Sequence, residues 1–95
     1  MTKAEKIFKD TYYSCKQYVK SWGVDEAAKS GFARLSTEEL TSTRTWNEIQ
    51  RYIDREKRDI KLDLDLNILT VNEATILEAA INMVQATLDN TRNRI

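Results

Sequence analysis

The chain has no histidine and no proline, only two glycines, and a single cysteine. Without histidine, the commonest general base and the commonest metal ligand are missing. Without proline, and with Gly23 and Gly31 both in the first third, the strongest helix interruptions are absent from most of the chain. One cysteine, Cys15, permits no intrachain disulfide and points to a reducing compartment. No run approaches the ~18 uninterrupted apolar residues of a membrane span. The first twenty residues interleave lysine with aromatics, unlike the apolar centre of a signal peptide. Fifteen basic residues balance fifteen acidic ones, so attraction to nucleic acid or to an anionic membrane would need local segregation of charge. No glycine-rich phosphate loop occurs. The expectation is a small soluble cytoplasmic protein that is not an enzyme, with no cofactor, metal, membrane contact or small-molecule substrate.

The residues that are present are arranged for helices. Over Thr70 to Ile95, Ala74, Leu77, Ile81, Val84 and Leu88 step by three and four, the apolar stripe of an α-helix. Ile76, Ala80 and Met83 form a second row that widens this face beyond a coiled-coil seam. Thr70-Val71-Asn72-Glu73 is a capping box, in which hydroxyl and carboxylate each satisfy a backbone N–H that the first turn leaves unpaired. Three more such boxes begin at Thr2, Ser36 and Thr45. The spacing predicts helices over 3–22, 46–59 and 71–92, with short helical turns between 25 and 42. In the first, Phe8, Tyr12, Cys15, Val19 and Trp22 form the seam, and Gly23 stands where a C-terminal cap belongs. In the second, Trp46, Ile49, Ile53 and Ile60 share a face, with Glu56 in the same seam. Phe32 and Leu35 should plug one end of the core. The expected core is Phe8, Tyr12, Val19, Trp22, Trp46, Ile49, Ile53, Leu77, Ile81, Val84 and Leu88. The fold class is all-α, a small bundle of three main helices forming one domain over 1–95.

One stretch departs from helical spacing. From Ile60 to Ile68, apolar and polar residues alternate strictly, the period of a half-buried strand. No second stretch alternates like it, so a partner strand is missing. Three forms fit: an extended connector over the core, a strand pairing with its twin in a dimer, or a helical continuation whose apolar residues face two partners. The extended form is favoured, because helical spacing places leucines on nearly every side.

Among candidate sites, Asp63-Leu64-Asp65-Leu66-Asn67 begins like a calcium-binding loop. The pattern fails where Ile68 replaces the required glycine and Ala74 the closing glutamate. Ala27-x-x-x-Gly31 hints at a helix-turn-helix, but Glu26, Ser30 and Thr37 stand where apolar packing is required. Arg44, Arg51, Arg55 and Arg58 fall within about 60° of one another on a helix, opposite its apolar face, and such a stripe could follow a phosphate backbone. The plainer reading pairs Asp54 with Arg58 and Arg55 with Asp59 at i,i+4 spacing.

Two functions remain. The first is a non-enzymatic interaction or assembly module, self-associating or binding another protein, whose surface includes Leu62, Leu64, Leu66, Ile76 and Met83. A homodimer is expected, and a charge at Leu64 or Met83 should break it. The second is a small nucleic-acid-binding or regulatory protein working through Arg44, Arg51, Arg55 and Arg58.

Overall fold

The structure, a computed structural model, describes residues 2–21 and 32–93. Among them are helices α1 (Lys3–Ser21), α2 (Thr37–Thr41), α3 (Thr43–Asp65) and α4 (Val71–Asn93), with a 3-10 turn at Phe32–Arg34 and no strand. The chain is an all-α bundle in which α1, α3 and α4 enclose one core. The part of the expected short helical turns that falls over 25–31, the Gly23 cap, Trp22 and the Ala27–Gly31 hint lie outside the described residues.

Contacts between side chains give the helix directions. Thr2 reaches Glu48, Phe8 meets Tyr52 in a tilted ring pair with centres 5.6 Å apart, and Glu56 lies near Tyr12 and Lys16, so α1 and α3 run in parallel. Gln50 pairs with Gln85, and Trp46 meets Arg92, so α3 and α4 are antiparallel. Phe32, Leu35 and Leu40 are buried, filling the core from the crossover as expected of Phe32 and Leu35. The seams hold: Phe8, Tyr12, Ile49, Ile53, Ile81, Val84 and Leu88 are buried, while Val19, Trp46 and Leu77 pack on them half-buried. Each fully buried large aliphatic side chain is worth about 1.5–3 kcal/mol relative to exposure. Ala4, Ile7, Cys15, Ile60, Ala74 and Ala80 complete the core. Two threonines are buried with it, each satisfying its hydroxyl on the preceding turn: Thr11 donates to the Ile7 carbonyl and Thr87 to that of Met83.

The capping boxes are used unequally. At α2 the Ser36 hydroxyl accepts from the Glu39 N–H, and the Glu39 carboxylate accepts from the Ser36 N–H. At α4, Thr70 and Glu73 repeat the exchange. Before α1, the Thr2 hydroxyl accepts from the Glu5 N–H. The expected box at Thr45 is not a cap. Helix α3 starts earlier, with Ser42 extended at φ −77° and ψ 120° and the Trp46 N–H bonded to the Ser42 carbonyl, so Thr45 is already inside the first turn.

The extended segment expected over 60–69 is also corrected. Helix α3 continues through Asp65, and residues 66–69 turn the chain into α4. The turn is built on Asn67, which takes φ 60°, a left-handed conformation that asparagine tolerates better than most residues. Around it the Ile68 N–H reaches the Asp63 carbonyl and the Asn67 N–H reaches that of Leu64, the paired closure that ends many helices. These bonds supply partners for carbonyls that a lone strand would have left open.

Candidate interaction surface

The helical course of residues 60–65 decides where the alternating leucines point. At ~100° per residue, Ile60 and Leu64 fall on the same side as Ile53, and Leu62 and Leu66 fall on the opposite side. Ile60 is accordingly buried and Leu64 half-buried against the core, whereas Leu62 and Leu66 are 54% and 59% exposed. The turn adds Ile68 at 65% exposure and Val71 at 71%. Four of the five large hydrophobic residues that stand out into solvent among the described residues are therefore gathered at the α3–α4 corner; the fifth is Tyr13 on α1.

The five residues expected at an interface are thus divided. Leu62 and Leu66 share the corner. Leu64 and Met83 pack against the core, so a charge at either would test folding rather than association. Ile76 is half-buried in a shallow depression with Lys20, Leu69, Glu73 and Leu77. Ile68 and Val71, which complete the corner, were missing from the expected set. Asn67 was the signal that could have found them, because asparagine after a periodic run marks a helix end and the apolar residues beyond it then have no strand to join.

Arg44, Arg51, Arg55 and Arg58 are all exposed on the outward face of α3, and Leu62 continues the same row toward the corner. From Arg44 to Arg58 the row is ~21 Å long at ~1.5 Å per residue. Among the described residues, ion pairs join Lys3 to Glu39, Lys9 to Glu5 and Arg34 to Asp10; none involves these four arginines. The expected Asp54–Arg58 and Arg55–Asp59 pairs are not closed, and Asp54 instead accepts from the Gln50 amide at 3.1 Å. Arg55 lies over the Tyr52 ring, 5.7 Å from its centre. The row is bordered by acids. Glu48, Asp54 and Asp59 lie beside it on α3. The Glu48 carboxyl is held below its ordinary range first by the Tyr52 hydroxyl that donates to it at 2.6 Å, against the effect of burial, with Thr2, Arg51 and Arg44 adding to the lowering.

Other titratable groups are explained by packing. Burial pushes the Tyr12 hydroxyl up to about 12, with the Glu56 charge adding to it, so this tyrosine stays protonated at neutral pH. Glu56 lies half-buried between α1 and α3, and its carboxyl is raised by burial first and by Asp59 and Asp63, with Lys16 and Arg55 opposing. Asp63 and Asp65, two residues apart on a helix, point to well-separated sides, and no cluster of three or more His, Cys, Asp or Glu that could hold a metal ion occurs among the described residues. Cys15 is fully buried in the α1 seam. No described helix is long and apolar enough to cross a membrane. Compared with protein-family models, with curated proteins and with solved structures, the chain has no match.

Proposed function

We propose that the protein is a non-enzymatic assembly module that self-associates through the α3–α4 corner. The observation carrying this reading is that Leu62, Leu66, Ile68 and Val71, all exposed, fall within ten residues of one another where α3 turns into α4. A helix that must only cover its own core has no use for leucine on its outward face, and contiguous exposed apolar patches mark association sites.

Sedimentation velocity over a rising concentration series, at low and at high salt, tests this reading. Association that persists at high salt and disappears in Leu62→Glu/Leu66→Glu is the expected result. A protein that stays monomeric throughout refutes it.

A second reading rests on a separate observation, the four exposed arginines of α3 without ion pairs among the described residues. A basic row ~20 Å long could track a phosphate backbone, with binding that falls steeply as salt rises. The acids bordering the row weaken this reading and place it second. Fluorescence anisotropy with labelled duplex and single-stranded nucleic acid, using Arg51→Glu/Arg55→Glu as control, separates the two. Salt-sensitive binding lost in the double variant would reverse their order.

A further inference from the structure

The outward face of α3 near the corner has a charge pattern that fits a copy of itself. Arg58 and Asp65 lie seven residues apart, on the same flank of the outward row, with Leu62 between them. At ~100° per residue the two charges are separated by only about 20° around the helix, yet they stand ~10 Å apart along it, too far to pair within one chain. Two helices packed antiparallel bring residues of the same flank opposite one another. Laid against itself with the two-fold axis beside Leu62, α3 places Arg58 opposite Asp65 of the second copy, and Asp65 opposite its Arg58.

We infer that two copies pair through the last two turns of α3, antiparallel across Leu62, to form a closed symmetric dimer with two reciprocal Arg58–Asp65 ion pairs. The inference rests on the assembly reading and names its geometry. Leu62 meets Leu62 at the axis. Leu66 of each copy comes near the level of Arg55 of the other, whose aliphatic stem can shield apolar surface as well as carrying charge. Leu62, Leu66, Ile68 and Val71 are each more than half exposed, so the corner has apolar surface left to bury against a second copy. Because the contact is the same patch on both copies, it closes at two and leaves no free end for a filament.

Charge reversal and cross-linking test the pairing on the intact protein. Arg58→Asp or Asp65→Arg alone places like charges together twice in the dimer and should weaken it by roughly tenfold or more. Arg58→Asp/Asp65→Arg restores opposite charges in both places and should recover wild-type association. Leu62→Cys introduces the only exposed thiol, since the chain's single cysteine is buried, and mild oxidation should convert it to a covalent dimer. Tyr13→Cys, exposed on α1, should not cross-link. All four substituted positions are exposed, and circular dichroism checks that each variant is folded. If wild type associates but the double reversal fails to rescue, or Leu62→Cys does not cross-link, the pairing is overturned while the assembly reading stands. If wild type is monomeric at every concentration, both fall.

Discussion

The link between α3 and α4 that is most open to measurement is an amide clasp at the middle of their contact. Gln50 Nε2 donates to Gln85 Oε1 at 2.7 Å and to Asp54 at 3.1 Å; Gln85 Nε2 donates to Gln50 Oε1 at 3.0 Å and to Asp89 at 3.1 Å. All four amide N–H groups are engaged, and the inter-helix pair is partly buried. Two hydrogen bonds at a net ~1 kcal/mol each cross between the helices. Gln85→Ala removes both and leaves the Gln50 carbonyl and one of its N–H groups without a protein partner, so the loss should be about 2–3 kcal/mol. Gln50→Ala should cost the same for the mirrored reason. The double substitution loses the same two inter-helix bonds but strands nothing, so it should cost about 2 kcal/mol or less rather than the summed ~4–6 kcal/mol, a coupling of at least about 2 kcal/mol. For a chain of 95 residues, a loss of 2 kcal/mol corresponds to a fall in Tm of ~10 °C. Urea unfolding followed by far-ultraviolet circular dichroism on the four proteins gives the cycle directly. Additivity of the two single losses would refute the clasp, because it would mean that each glutamine stabilises the fold without the other.

Two predictions concern pH. The Glu39 carboxyl is lowered to about 2, first by the Ser36 backbone N–H, with Lys3 and the Ser36 hydroxyl adding. A lowered carboxyl stabilises the fold above its ordinary value near 4.5 and loses that effect as pH falls toward 2, so Lys3→Ala should flatten the acid limb of a stability–pH curve across that window. Glu56 is raised, burial acting first, which reverses the sign: its charge increasingly destabilises the fold as pH rises through the folded value. Glu56→Gln should therefore raise Tm at pH 7 and leave it unchanged below the ordinary carboxyl range; a gain that persists in acid would count against the cause given.

The bundle was legible wherever one periodicity ruled a stretch. Phe8, Tyr12, Ile49, Ile53, Ile81, Val84 and Leu88 step at helical spacing, and burial follows from the step. Ala80 and Ile60 could be read as apolar, but how deeply they sit depends on where the neighbouring helices cross, which spacing along one helix does not contain. Thr45 misled because Thr45-Trp46-Asn47-Glu48 matches the local box pattern, whereas α3 starts three residues earlier at Ser42, which makes no side-chain cap bond. Ser42 won: being extended, it ended α2 and opened α3 at once. The candidate site was only half legible. Leu62 and Leu66 drew attention as members of an alternating segment with no partner strand, while Leu64 and Met83 were grouped with them, since a single helix cannot reveal which of its two apolar sides another will cover.

The alternating segment is where helix and strand readings predict opposite effects from the same substitution. In a strand, Asn67 is a polar position on the solvent face; valine there should stabilise by β-propensity and glycine should weaken the strand. In the structure Asn67 holds φ 60° one residue past the α3 cap, and the Ile68 and Asn67 N–H groups close on the carbonyls of Asp63 and Leu64. A branched side chain in that conformation crowds its own backbone, whereas glycine adopts it without penalty. Asn67→Gly should thus leave stability unchanged or raise it by a few tenths of a kcal/mol, and Asn67→Val should cost about 1–2 kcal/mol. The same pair of variants bears on function. Leu62 and Leu66 stand outward only because the helix runs on to Asp65 and stops at this residue; a strand would have placed every leucine of the segment on one face, against the core. If valine stabilises and glycine weakens the fold, the exposed corner does not exist, and every argument built on it fails together.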